Sequence, residues 1–506
     1  MSKIKALVAV AIASVMLLGG SVPATQAAGK TLTIGMVADV TSFRVPDATF
    51  GNANLYYQTV YDTLLQETPD GKIIPSAATA WKWDPSSTKL TLTIRSGMKF
   101  TDGTPVNAAA VVANLNRFVK GGTSTEKGTL ASMKIATATG PNTVVITLTY
   151  NDPAFELALT KSAALLESPK NFTNPAEKTE PVGSGPYKLD KLKSKFGSSY
   201  TFVKNPGYWN AKAVKFDTVV LKVISDSTAA VNALKAGQID GMNVTKADTI
   251  PSLEASNMNF ATQYNDWVGL VFADRSGKQG TPLKSVKVRQ AINMAFDRPA
   301  MLAALRGKYG VVTQQIFGTK SQAYVKSLDN YYKYDVAGAK ALLAEAGYPN
   351  GFTIKMPSMA AYSGPARPAL IAAQLKAIGI TVQYVPETLA TFVTNVLTPK
   401  YAAWDMALER SPSDWANINY AVSETAGWNA DKFSDAKSKD WISQIQKSSD
   451  ANRKILLQKL NTYLVEQAWF CPWYANQTTF AHTPKIKVAV QPGNVMPYLF
   501  NYSPAN

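Results

Sequence analysis

The 506-residue chain contains one cysteine and one histidine. Cys471 alone cannot close an intrachain disulfide or build a cysteine-based zinc cluster. Between Phe470 and Pro472, at the end of an apolar helical run, it reads as a small buried hydrophobe. Any His-ligated metal site or Ser-His-Asp triad would have to use His482, and neither H-E-x-x-H nor G-x-S-x-G occurs. The stretch Ala27 to Thr31 ends like a phosphate-binding loop, but Ala24 stands where the first glycine is required. These absences argue against an enzyme, and no cofactor or metal is implied. Acid is also scarce beside base: 35 Asp and Glu against 52 Lys and Arg give a net charge of +17. The basic residues are scattered without a run of four, which reads as a solvated surface with no nucleic-acid partner; an anionic ligand is the alternative.

The N-terminus places Lys3 and Lys5 before an apolar run from Ala6 to Leu18 and small residues ending Ala24-Thr25-Gln26-Ala27-Ala28. The run is too short to span a bilayer, and Gly19, Gly20 and Pro23 interrupt it, so residues 1–28 are expected to be a cleaved secretory signal. Ser21 follows Leu18-Gly19-Gly20 where a lipoprotein would carry cysteine. A free periplasmic protein is expected, with an unlipidated protein on the outer face of a one-membrane cell as the alternative.

The remaining length, about 480 residues, exceeds what one core usually covers and predicts two or three domains. Alternation at Leu32, Ile34 and Met36 predicts a strand, as do Leu90 to Ile94, Val144 to Leu148, Tyr200 to Val203 and Thr218 to Ile224. Helices are predicted over Asn107 to Phe118, from Ser227 to Gly237, and over Val288 to Phe296, Asp335 to Ala346 and Ala366 to Ile378, with Gly347 and Gly379 closing the last two. Asn452 to Trp469 predicts a further helix, stopped by Pro472. Asp102-Gly103-Thr104-Pro105 and Gly183 to Tyr187 read as turn chemistry, with Gly supplying positive φ.

Six segments occur in order: KFTDGTPVNAAAVV from Lys99, PVGSGPYKL from Pro181, NPGYWN from Asn205, STAAVNALKAGQID from Ser227, VRQAINMAFDR from Val288 and YDVAGAKALLAEAGY from Tyr334. Together they resemble the family 5 extracellular solute-binding proteins of ABC importers, the group that holds oligopeptide-, dipeptide- and nickel-binding proteins. The resemblance implies an α/β fold, a periplasmic-binding-protein-like two-lobed clam of the cluster C type with an extra small β-rich domain. It implies a discontinuous lobe I of residues 29–73, 181–273 and 485–506, the small β-rich domain at 74–180 and lobe II at 274–484. It further implies a monomer that closes by a hinge around a small-molecule or peptide ligand and delivers it to an ABC permease with its ATPases.

The resemblance also directs attention to Trp404 to Tyr420. In peptide-binding members a strand is followed by an Asp that pairs with the ligand's α-ammonium, and the spacing puts Asp414 there; a turn Asp capping the next segment is the alternative. Arg410 and Ser411 fall where relatives carry Gly-Trp, so Arg410 brings a second charge near Asp414, with Trp415 and Asn417 beside it. Trp415, Trp428 and Trp267 are candidate apolar walls, since indole offers a flat surface with one donor; core packing is the competing reading. Across the cleft, Thr49, Phe50 and Gly51 occupy the place where relatives pair the ligand backbone with their own, although Phe43 and Arg44 replace the usual Leu-Asp-Pro. An oligopeptide or dipeptide is the expected solute, and an oligosaccharide or opine-like anion is the alternative. A nickel chelate ranks low with one imidazole. A secreted hydrolase or an envelope chaperone would be rivals of another class.

Overall fold

The computed structural model describes residues 30–49, 51–121, 125–360, 365–398, 400–448 and 450–505. The expected signal segment and Phe50 lie outside them. A nine-stranded sheet runs through the molecule in the order Ala403–Glu409, Asn259–Phe272, Phe470–His482, Gly241–Asn243, Thr31–Met36, Thr218–Val223, Ser199–Lys204 and Tyr187–Leu189, with Gly310–Val312 attached to Phe470–His482. Thr31–Met36 pairs in parallel with both of its neighbours, the α/β feature of an otherwise antiparallel sheet. Parallel pairing needs a crossover, and the helix Ser227–Lys235 supplies one between Thr218–Val223 and Gly241–Asn243. Asp226 caps that helix by accepting from Ala229 N at 2.7 Å, and Gly237 at φ 68° ends it.

The molecule is two-lobed because its apolar side chains gather around separate centres. One core joins Leu32, Ile34 and Met36 to Leu90, Leu92 and Val111 of a four-stranded sheet and its helix, and to Ile486, Met496, Leu499 and Tyr502 of the tail. That smaller sheet runs Ala78–Trp83, Lys89–Ile94, Thr143–Leu148, Met133–Gly140, flanked by the helix Ala108–Lys120 with Asn107 as its cap. Two further cores lie on either face of Asn259–Phe272: Trp267 and Val271 enter one, Val268, Leu270 and Phe272 the other. This strand half is therefore apolar without alternation, as burial on both faces requires.

Asn259–Phe272 and Phe470–His482 pair antiparallel from Asn259 opposite His482 to Val271 opposite Phe470, with irregularities at Tyr264/Asp266 and Val268/Gly269. They carry the sheet from one lobe to the other. Here the structure corrects one expectation. The helix Asp450–Glu466 ends well before Pro472, and Cys471 and Pro472 lie inside the Phe470–His482 strand. Proline is tolerated there because the ladder is broken opposite it at Gly269, where a Cβ would stand 2.6 Å from Pro472 Cα. Its neighbour Cys471 is fully buried.

A second correction concerns the Gly-Ser-Gly motif. Gly183 and Gly185 do not have positive φ. They are needed for close approach, since a Cβ on Gly183 would stand 1.9 Å from Val60 O and one on Gly185 2.5 Å from Val60 C. Asp102-Gly103 is a turn as read: Gly103 sits at φ 84° and Asp102 Oδ1 accepts from Thr104 N at 2.9 Å.

Candidate interlobe binding site

On the second-lobe side, Ala403–Glu409 pairs with Asn259–Phe272, and Arg410 N extends the ladder by donating to Asn265 O at 2.7 Å. The chain then turns away from the sheet. Arg410 is 8% exposed, and its guanidinium is spent inside the protein, donating to Ile316 O at 2.8 Å and Gln315 O at 2.9 Å. Burial lowers its pKa to about 10, against the opposing pull of Asp266 and Asp329. Asn417 is likewise engaged: Ser411 N donates to its Oδ1 at 2.7 Å and its Nδ2 donates to Ser411 O at 2.9 Å, closing the loop on itself.

Asp414 accepts from Ser321 Oγ, from Gln322 N at 2.9 Å and from Ala323 N at 3.3 Å. Among the described residues no cation lies within salt-bridge distance of it. Burial raises its pKa, and the donors at Ser321, Gln322 and Ala323 pull it down. Trp415 is buried in the second-lobe core, with its indole toward the Asp152 carboxylate but without a hydrogen bond of good geometry. Trp267 lies in that core edge-on to Phe470, at 5.5 Å between ring centres. Trp428 is half-buried, tilted on Trp404 at 5.7 Å and Tyr420 at 5.9 Å.

On the first-lobe side, Phe43 is fully buried against Tyr57, Tyr200 and Phe202. Arg44 pairs with Asp47 at 3.0 Å and Glu177 at 3.3 Å, and Arg117 reaches both Glu177 and Glu167. Through Glu177 and Arg117, Arg44 thus ties this loop to the helix Ala108–Lys120. Burial and the neighbouring Glu177 raise the pKa of Glu167. Thr49 is half-buried beside the Tyr57 hydroxyl. Gly51, at φ 70°, has open space where a Cβ would stand, and opens the short turn leading to the helix Asn54–Val60.

The two sides meet through the tail. Asn54 Nδ2 donates to Met496 O at 3.2 Å, Gln263 Nε2 donates to Asn494 O, and a Cβ on Gly493 would stand 2.5 Å from Pro412 Cδ. The structure therefore groups Arg410, Asp414, Trp415 and Asn417 near the tail that anchors the segment after Gly51. Trp267 is in the core beneath, and Trp428 lies in an aromatic cluster with Trp404 and Tyr420. Three residues at this junction have no mark in the sequence: Asn54, Asn265 and Asn494. Their local sequence does not single them out, Asn265 standing between Tyr264 and Asp266. His482, the one imidazole, is buried with Nδ1 2.9 Å from Thr483 O. No group of three or more metal-ligating side chains occurs among the described residues.

A mixed sheet threading two lobes, with loops from both and a tail converging at their junction, defines a solute-binding protein of the periplasmic-binding-protein type. Residues 72–433 match the bacterial extracellular solute-binding proteins, family 5 Middle, and the chain belongs to that family. It is a non-catalytic component of an ABC importer and works with permease and ATPase subunits. It is 25% identical over 478 residues to the glutathione-binding protein GsiB of Escherichia coli (strain K12), covering 91% of each chain. Its fold matches the periplasmic binding protein DppA from Helicobacter pylori in complex with peptide STSA, with TM-score 0.76 and 22% identity over 94% of this chain and 98% of that one. It also matches AgaA in complex with agropinic acid from A. tumefaciens R10, with TM-score 0.75 and 24% identity over 94% and 99%. No helix among the described residues is long and apolar enough to cross a membrane.

Proposed function

We propose that the chain captures a short peptide between its lobes and releases it to the permease. The observation that carries this reading is Asp414: a half-buried carboxylate whose pKa is raised by desolvation, with no cation within salt-bridge reach among the described residues. Three donors hold it, and an ionised carboxylate offers about four acceptor positions, so one remains for a ligand ammonium. Burying that ammonium without a partner would be costly, so the pair favours a ligand with a free α-amino group. Closure then follows from tighter binding to the closed state. The names of GsiB and of the STSA complex support the same solute class. Calorimetry on di- to pentapeptides and their N-acetylated forms tests it: the free peptides bind and acetylation weakens them. Equal affinity for both forms would sink the ammonium pairing.

The division into a discontinuous first lobe at 29–73, 181–273 and 485–506, a small domain at 74–180 and a second lobe at 274–484 belongs to this proposal. The core that joins Leu32 to Met496 and Tyr502 supports the return of the tail to the first lobe. We also read Met1 to Ala28 as a cleaved export signal; N-terminal sequencing of the exported protein should locate the cleavage within Ala27 to Gly29.

A further inference from the structure

The strand Tyr187–Leu189 ends the nine-stranded sheet, and the loop that joins it to Ser199–Lys204 contains Lys191-Leu192-Lys193-Ser194-Lys195-Phe196. Leu192 is 99% exposed, the most of any large hydrophobic side chain among the described residues, and Phe196 is 42% exposed. A single apolar side chain on a surface is ordinary. Here, however, a leucine that nothing in the fold covers stands on a turn that the fold holds firmly. Asp190 Oδ1 accepts from Lys193 N at 3.2 Å, and Ser194 Oγ donates to Asp190 O at 2.7 Å. Thr201 donates through N to Ser194 Oγ at 3.0 Å and through Oγ1 to Lys193 O at 3.1 Å. Lys195 N donates to Ser199 O at 2.7 Å, and Phe196 packs edge-on to Tyr200 at 5.1 Å between ring centres.

Lysines are interleaved with the two apolar side chains. Lys191 pairs with Glu180 and Lys193 with Asp190 at 3.5 Å, while no carboxylate lies within salt-bridge distance of Lys195 among the described residues. All three lysines are exposed, and pairs of this kind contribute little and exchange readily for another anion. An uncovered leucine and a phenylalanine set among ammonium groups complement a surface that is anionic outside and apolar just beneath. A protein partner fits this tip less well, because a stable interface takes about 800 Å² from each side and one Phe supplies about 150–250 Å². A bilayer accepts a single inserted side chain, and lysine stems can lie along it with their charge at the phosphates.

We propose that the loop from Asp190 to Ser198 is a docking tip for an anionic phospholipid bilayer, with Leu192 and Phe196 inserted among the headgroups and Lys191, Lys193 and Lys195 at lipid phosphates. The contact is peripheral and reversible, since so short an apolar tip holds a membrane more weakly than a single acyl chain does. It does not depend on which solute the cleft holds. It keeps the carrier beside the membrane that bears its permease.

The test is sedimentation of the exported protein with vesicles of equal parts phosphatidylcholine and phosphatidylglycerol. Wild type should sediment with them and be released as salt screens the lysines. Leu192→Asp should lower the partition coefficient at least about tenfold, the loss of one buried leucine, and Lys195→Gln should lower it about fivefold. Ile455, 55% exposed on the helix Asp450–Glu466, supplies the control: Ile455→Asp changes net charge by the same unit as Leu192→Asp and should stay within about twofold of wild type. Thermal melts verify that each variant is folded. The proposal is overturned if wild type stays in the supernatant, or if Leu192→Asp and Ile455→Asp weaken sedimentation equally, which would make the association a property of net charge. Retention of wild type only by vesicles that contain the permease would assign the tip to a protein contact and overturn it as well.

Discussion

The two faces of the junction differ in how they use polarity. The second-lobe segment around Arg410 and Asp414 carries the formal charges, yet almost every polar atom there is engaged within the protein. The first-lobe face around Asn54 and the tail carries no open charge, yet leaves buried amide atoms open. Charge at a candidate site is therefore a poor guide to what the site offers. A buried charge must be satisfied at folding, whereas a neutral amide can wait for a partner at smaller cost.

Arg410→Ala gives the strongest test of this contrast. Removing the guanidinium leaves the carbonyls of Gln315 and Ile316 unpaired and takes the nearest cation from Asp266, so unfolding stability should fall by about 3–5 kcal/mol in a urea titration. A loss of ligand affinity at unchanged stability would reverse the assignment and make Arg410 a binding residue. Next in size is Asp414→Asn, which should cost about 2–5 kcal/mol of peptide affinity by calorimetry. Unchanged affinity would confine Asp414 to its role in the Ser321–Ala323 turn.

The first-lobe face is open but stiffly backed. Gly185 lies against the end of the helix that carries Asn54, and a Cβ there would meet Val60 C and Tyr61 N at 2.5 and 2.6 Å. Gly185→Ala should cost about 1–3 kcal/mol by overpacking and lower the melting temperature. A neutral result would mean that the helix can shift, and that Asn54 is less firmly placed than its neighbours imply.

The last test concerns pH. Burial raises the pKa of Asp62 from 3.8 to about 7, against the opposing hydrogen bonds from Tyr208 and Trp209. The folded protein thus holds a proton that the unfolded chain releases near 3.8, so the contribution of Asp62 to stability is full below that value and is lost as pH rises to about 7. Asp62→Asn should flatten this decline in melts taken between pH 4 and 7. A slope equal to that of wild type would show that Asp62 titrates normally.

Much of the fold is legible in the sequence because local chemistry sets it. Asn107, Asp226 and Asp335 each cap the helix that follows, while Gly237, Gly347 and Gly379 take positive φ where helices end. The stretch around Cys471 misleads because a strand buried on both faces loses its alternation and continues the apolar signal of the preceding helix. Gly183 and Gly185 misread as turn residues for a related reason: their constraint is the distant Val60 backbone, which no local pattern reports. In the site, attention to the Asp414 segment comes from the resemblance, and the structure adds its half-buried carboxylate on the Ser321–Ala323 turn. The buried amides of Asn54, Asn265 and Asn494 could not be read, since nothing local in a sequence reports the burial of an asparagine.

The bond between Asn54 and Met496 joins positions 442 apart in the chain. A chain made from its N-terminus has the Asn54 loop early and the Gln491–Met496 segment only near the end. The loop after Gly51 therefore gains its tail anchor last, and a chain cut short before Met496 would lack it.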